Sequence, residues 1–66
     1  MNIHVNGDAI EVVEQATIAT LLESLSLKGK RLAVEVNEEI VPRSQHADYR
    51  LSAGDRVEVV HAIGGG

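Results

Sequence analysis

The first twelve residues, MNIHVNGDAIEV (residues 1–12), encode a β-hairpin of defined register. Apolar and polar side chains alternate before Asn6-Gly7, the dipeptide best suited to a two-residue type I′ turn. With that turn at the centre, Ile3 lies opposite Ile10, so the apolar residues of both strands share one face. The sequence therefore predicts a hairpin with one apolar face.

After the hairpin the apolar period lengthens, which predicts a short helix. Four apolar residues lie on one helical stripe, at the spacing i, i+3, i+4 and i+7: Ile18, Leu21, Leu22 and Leu25. Thr17 is the expected N-cap and Gly29 the expected stop. The third helical position holds Thr20 rather than Glu or Gln, so we expect no reciprocal capping-box bond. Packing of the apolar stripe must then hold the helix.

Two further apolar stretches predict a third strand and a short fourth strand. Residues 32–36, LAVEV, place Leu or Val at every second position, and residues 40–41 form an apolar pair closed by Pro42. Proline has no backbone donor, which confines this pair to a sheet edge or to the end of a strand. We expect an ordered loop over residues 43–48 and a turn over residues 52–55.

The final strand runs directly into the terminal glycines. Its alternation points Val57 and Val59 inward, with Ile63 on the same side. Three residues point outward, on the other side: Glu58, Val60 and Ala62. An outward face that carries apolar side chains just before the glycines is a candidate docking surface.

The order of these elements predicts an α+β fold. We expect a mixed sheet of four to five strands packed on one short helix, which is the β-grasp, or ubiquitin-like, arrangement. One helix cannot cover both faces of such a sheet, so one face should stay at least partly open. The first and last strands would be central neighbours. We assign residues 1–63 to the β-grasp domain and residues 64–66 to a flexible glycine tail.

The composition excludes several classes of function. Ten acidic and six basic residues give a net charge of -4, which disfavours a nucleic-acid partner. The chain has no cysteine, hence no disulfide, thiolate metal site or thiol nucleophile. No apolar run approaches the roughly 20 residues of a membrane helix. We expect a cytoplasmic monomer that binds no membrane, metal or cofactor.

The glycine tail is the segment suited to chemistry. Gly64, Gly65 and Gly66 cannot pack as a strand, but without Cβ atoms they can thread a narrow channel and present the Gly66 carboxylate inside an enzyme. ATP can convert a carboxylate into an acyl adenylate, from which a sulfur nucleophile displaces AMP to leave a thiocarboxylate. A frayed terminus is the alternative interpretation. The direct passage from strand to tail favours a function.

Over essentially its whole length the chain resembles the ThiS family, the sulfur carriers of thiazole formation in thiamin biosynthesis. The resemblance lies in the following residues: Asn6, Thr17, Leu21-Leu22, Val36-Asn37, Ile40-Val41-Pro42-Arg43, Gly54-Asp55 and Ile63-Gly64-Gly65-Gly66. It implies that an E1-like enzyme of the ThiF type adenylates Gly66 with ATP. It further implies that a sulfur donor such as a persulfide protein supplies the thiocarboxylate, and that a thiazole synthase of the ThiG type accepts its sulfur.

Three other functions share part of this pattern. The chain could be a sulfur carrier of another pathway, of the molybdopterin synthase small-subunit type. It could be a ubiquitin-like modifier that forms isopeptides, or a β-grasp binding module that does not react. Removal of Gly65 and Gly66 would leave a binding module functional but would abolish a carrier.

The remaining polar residues carry weaker hypotheses. Ser44, His46 and Asp48 alternate in a short loop, which does not suit a catalytic relay, so we assign no catalytic residue. The three histidines lack the paired spacing of a metal site and are expected on the surface or in loops. Arg43 is expected to anchor its loop to a carboxylate such as Asp55, or else to contact a partner.

Partner docking is assigned to the residues that lead into the tail. The candidates are Glu58, Val60, His61, Ala62 and Ile63. His61 is included because a histidine close to the tail could titrate at a partner interface.

Overall fold

The described part of the chain forms a five-stranded sheet, one face of which is covered by a single short α-helix. A computed structural model describes residues 1–27 and 30–61. The elements, in chain order, are β1 (Asn2–Val5), β2 (Asp8–Glu11), α1 (Ile18–Ser24), β3 (Leu32–Val36), β4 (Glu39–Val41), a 3₁₀ turn (Arg43–Gln45) and β5 (Arg56–His61). The strands lie in the order β2-β1-β5-β3-β4. β1 and β5 are parallel and the other neighbours are antiparallel, so the predicted mixed sheet is confirmed.

The N-terminal hairpin has the predicted turn and register. Asn6 and Gly7 have φ angles of +50° and +90°, as the two central residues of a type I′ turn require. Ile3 pairs with Ile10 across the hairpin. Ile3 is fully buried, which places the apolar face of the hairpin against the core.

Thr17 caps the helix as predicted, but the expectation about the capping box is wrong. The Thr20 backbone N–H donates to Thr17 Oγ1 at 3.2 Å, and the Thr17 backbone N–H donates to Thr20 Oγ1 at 2.8 Å. Both bonds of a capping box are therefore present. A threonine hydroxyl at the third position accepts the bond that is usually given to a longer Glu or Gln side chain.

The helix ends earlier than Gly29, which lies outside the described residues. Its last helical residue is Ser24, and Leu25 is the C-cap. The backbone N–H groups of Ser26 and Leu27 donate to Glu23 O and Leu22 O, at 3.0 and 2.8 Å, the two bonds of a Schellman motif. Ser26 takes the left-handed position of that motif, with φ of +61°.

The core lies between α1 and the inward face of the sheet. Its most completely buried side chains come from the helix stripe and from the central strands: Ile3, Ile18, Leu21, Val34, Val36 and Val57. β4 lies at the edge of the sheet, as Pro42 predicted. One helix covers one face, so the residues of opposite parity on each strand face away from the core.

Candidate functional site

The strand that leads to the tail is held by neighbours on both sides. β5 pairs with β3 along the whole stretch from Leu32↔His61 to Val36↔Val57, and it pairs with β1 through His4 and Val5. The last described residue, His61, therefore lies at the end of a central strand of the sheet. Central pairing fixes the direction of β5 up to His61.

The Asn6 side chain extends the pairing between β1 and β5 beyond the end of β1. The Val59 backbone N–H donates to Asn6 Oδ1 at 2.8 Å, and Asn6 Nδ2 donates to the Val59 carbonyl at 3.1 Å. The Asn6 backbone N–H donates to the Val57 carbonyl at 2.9 Å. The side-chain amide therefore satisfies both the N–H and the carbonyl of Val59, which a continuing parallel strand would otherwise pair.

Asn37 makes an equivalent contact at the beginning of β5. The Arg56 backbone N–H donates to Asn37 Oδ1 at 3.0 Å, and the Asn37 backbone N–H donates to the Arg56 carbonyl at 2.7 Å. Asn37 has φ of +52°, in the tight turn between β3 and β4. Two turn asparagines, one from each side of β5, thus fasten this strand at Arg56 and at Val59.

The carboxylate of Asp55 joins this turn to the start of β5. Its oxygens accept from Asn37 Nδ2 at 3.0 Å and from the Ser52 backbone N–H at 2.7 Å. Within the described ranges no ion pair joins Arg43 to Asp55, so the expectation that Arg43 anchors its loop to this carboxylate is wrong. The loop is fastened instead by His46, which is buried and whose Nε2 lies 3.0 Å from the Val41 carbonyl.

The contact between His46 and the Val41 carbonyl also argues against a catalytic relay of Ser44, His46 and Asp48. A ring nitrogen that faces a carbonyl oxygen must carry the proton and donate it. Nε2 of His46 is therefore not available to accept a proton from a serine. His46 lies in the loop, as expected, but it is buried rather than on the surface.

The outward face of the sheet carries two of the predicted docking residues. Glu58 and Val60 are exposed, and Val60 retains 55% of its accessible surface. Val60 lies opposite Ala33 on β3, and Glu58 lies opposite Glu35. We define these four residues, together with Ile40, as the open face.

Sequence reasoning missed Ile40 and Glu35 as members of the open face. Ile40 is 72% exposed and lies opposite Glu35 across the β3–β4 pair. Alternation with the buried Val41 was the available signal for Ile40. Glu35 and Glu58 are directly opposite each other, and like charges in that position repel. A basic group of a partner would relieve that repulsion.

His61 does not belong to the open face. It has the same parity along β5 as Val57 and Val59, and it lies opposite Leu32. The candidates on β5 are therefore divided between the two sides of the sheet. The other candidates, Ala62, Ile63, Gly64, Gly65 and Gly66, lie outside the described residues.

Over residues 1–27 and 30–61 there is no group of three or more histidine or acidic residues that could hold a metal ion. Within the same ranges, the helix is seven residues long, far short of what spanning a membrane requires.

Comparison with known proteins identifies the family. The model of the ThiS family matches residues 3–66. The sulfur carrier protein ThiS of Escherichia coli K12 is 33% identical over 66 residues, the full length of both chains. The crystal structure of the thiamine biosynthesis protein ThiS from Geobacter metallireducens superposes with a TM-score of 0.86 at 32% identity, covering all of both chains. The β-grasp fold is thereby confirmed.

A second kind of relative is longer. A protein named thiazole synthase from Paramagnetospirillum magneticum is 38% identical over all 66 residues, which make up 20% of that protein. A thiazole synthase of Magnetococcus marinus matches in the same way. The chain spans about a fifth of the length of these two relatives. Since the family model and the full-length relatives agree on fold and extent, the chain belongs to the ThiS family.

Proposed function

We propose that this chain is a sulfur carrier of thiamine biosynthesis and that the Gly66 carboxylate is its reactive group. The observation that carries the proposal is the end-to-end match to a sulfur carrier protein, together with a family match that continues through the three terminal glycines. In this proposal the protein is a co-substrate of enzymes rather than an enzyme.

The reaction begins with activation of the carboxylate by an E1-like enzyme. A carboxylate oxygen of Gly66 attacks the α-phosphorus of ATP, pyrophosphate leaves, and an acyl adenylate forms. A sulfur nucleophile from a donor of the persulfide class then attacks the acyl carbon, and AMP leaves. This leaves the donor joined to the acyl group through an S–S bond. A thiol, of the donor or of the enzyme, then attacks the donor's sulfur, forms a disulfide with it and releases the thiocarboxylate. ATP is used in the enzyme's site, and the carrier supplies the acyl group.

Thiazole synthase is the proposed acceptor of the sulfur. Two proteins of that name contain a segment similar to the whole of this chain, so the two modules occur in one polypeptide. The architecture suits delivery of the Gly66 carboxylate to a partner's site, because hydrogen bonds to the Asn6 side chain hold β5, the strand that precedes the tail, at Val59. The open face beside it offers Val60 and Ile40 for apolar contact.

The test is to incubate the chain with the E1-like enzyme, ATP and sulfur donor of its host, and then to treat it with a thiol alkylator. Intact-mass measurement should show a single alkyl adduct that maps to Gly66. Oxidation of Met1 mimics the nominal mass of an oxygen-to-sulfur exchange, but the alkyl adduct avoids this ambiguity because the chain has no cysteine. A matched variant without Gly65 and Gly66 should form no adduct.

The outcomes separate the remaining functions. If thiazole synthase consumes the thiocarboxylate, the thiamine assignment holds; if it does not, the carrier serves another pathway. Isopeptide ladders on other proteins would indicate a modifier. If neither adenylate nor terminal adduct forms, the carrier function is refuted and a binding module remains.

A further inference from the structure

A groove opens on the helix side of the molecule, away from the open face. It has a volume of about 200 Å³ and is lined in part by the apolar side chains of Leu22, Leu27 and Leu32. Two basic residues, Lys30 and Arg43, line it as well. The groove thus combines an apolar floor with a positively charged rim.

The position of the groove relates it to the tail. Leu32 begins β3 and lies opposite His61, the last described residue of β5. Lys30 precedes the start of β3 by two residues. Arg43 follows Pro42 after the end of β4, and Val41 of that strand pairs with Val34. Both basic residues therefore lie at the end of the sheet where β5 ends at His61. A protein that takes up the tail must approach this end.

The charge of the rim is not neutralised within the described part of the chain. Both Lys30 and Arg43 are exposed, and no carboxylate of residues 1–27 or 30–61 lies within ion-pair distance of either. The described ion pair, between the Met1 amino group and Glu14, lies elsewhere. The chain as a whole carries a net charge of -4, so this rim is a local reversal of its charge. Such a site selects an acidic partner surface.

The side of the rim that carries Arg43 is also held in place. Arg43 begins the 3₁₀ turn, and the contact of His46 Nε2 with the Val41 carbonyl ties the residues after this turn to β4. His46 and Ala47 line the groove on the same side. A wall fixed by a buried contact loses less conformational freedom when a ligand binds than a mobile loop would.

We propose that this groove docks a segment of a tail-receiving enzyme that places a carboxylate side chain beside an apolar one. The apolar side chain enters between Leu22, Leu27 and Leu32, and the carboxylate lies against Lys30 and Arg43. The proposal rests on the proposed function, because it is that function which provides an enzyme that receives the tail. The open face and the groove then lie on opposite sides of the sheet and select partner surfaces of opposite charge.

The experiment measures binding by titration calorimetry, with the host's E1-like enzyme and, separately, its thiazole synthase as the two probes. Lys30→Glu and Arg43→Glu should each weaken the binding of at least one enzyme about tenfold. Arg50→Glu is the matched control, since it makes the same change in net charge at an exposed site that does not line the groove, and it should leave binding nearly unchanged. Ala47→Tyr should block the groove without a change of charge and weaken the same enzyme.

Thermal unfolding of each variant shows whether the fold is retained, and Arg43→Gln provides a milder change at the same position. For the enzyme that docks here, wild-type affinity should fall more steeply with added salt than that of Arg43→Glu. The proposal is overturned if neither probe binds the wild-type chain. It is also overturned if all three charge reversals weaken binding equally, or if the groove variants leave both affinities unchanged. The titration measures binding without ATP, whereas the adduct at Gly66 forms only after activation by ATP. A failure of the docking proposal is therefore distinguishable from a failure of the proposed function.

Discussion

Replacement of Asn6 by glycine should loosen the end of β5 and lower the stability of the whole domain. The Asn6 amide exchanges two hydrogen bonds with the Val59 backbone, of 2.8 and 3.1 Å. Each bond contributes about 0.5–1.5 kcal/mol net, so the loss of both should lower the free energy of unfolding by about 1–3 kcal/mol. A single core of this size rarely supplies more than about 3–5 kcal/mol. The substitution therefore removes a large part of the total stability.

Glycine isolates the contribution of the bonds because it tolerates the φ of +50° found at Asn6. Asn6→Ala should be less stable than Asn6→Gly by about a further 1 kcal/mol, because alanine is strained in the left-handed region. Urea unfolding, followed by far-ultraviolet circular dichroism, measures both differences. Amide exchange adds a local signal: Asn6→Gly should expose the Val59 amide, whereas Asn37→Gly should expose the Arg56 amide. An unfolding midpoint equal to that of the wild type, or a Val59 amide that stays protected, would refute this reasoning.

Three substitutions elsewhere should change stability in stated directions, each measured by thermal and urea unfolding. Ser26→Gly should raise the free energy of unfolding by about 0.5–1 kcal/mol, because it removes the strain of a φ of +61°; Ser26→Ala should not. Glu38→Gly should raise the free energy of unfolding by a similar amount, because Glu38 has φ of +72° at the second position of a two-residue hairpin turn. A lower free energy of unfolding would show instead that the Glu38 side chain stabilises the turn. Thr20→Val should lower the free energy of unfolding by about 1 kcal/mol, because it removes the hydroxyl that accepts from the Thr17 N–H. Thr20→Ser keeps a hydroxyl and is the control. If Thr20→Ser lowers the free energy of unfolding as much as Thr20→Val does, the capping bond is not the cause.

The sequence predicted those parts of the fold whose signals are local. Asn6-Gly7 and the alternation around it fix the hairpin register, since a slip by one residue would expose Ile3. The helix end was misplaced because its stop is Ser26 in a left-handed conformation, and that position is usually marked by glycine or asparagine. A serine there depends on the closing bonds of the Schellman motif, which the composition does not reveal.

The site was predictable where it follows from alternation along one strand. Glu58 and Val60 could be placed outward without knowledge of the strand order. The pairing of Glu58 with Glu35 depends on which strand neighbours β5 and in what register, and no local pattern specifies either. The groove is still less visible in the sequence, because it joins residues as distant as Leu22 and Arg43.

The rigidity of β5 determines how much conformational entropy is lost when a partner binds the tail. Ordering a residue of backbone costs about 1–2 kcal/mol, so fixing three glycines in a cleft costs roughly 3–6 kcal/mol before any contact is counted. If β5 frayed back to Val57, the partner would also have to order the residues that follow it, at a similar cost for each. The Asn6 amide opposes this by holding Val59 in the free protein, in addition to the pairing of β5 with β3. Because preorganised binding elements lose less entropy on association, the Asn6 side chain in the first hairpin turn should raise the affinity for every enzyme that receives Gly66.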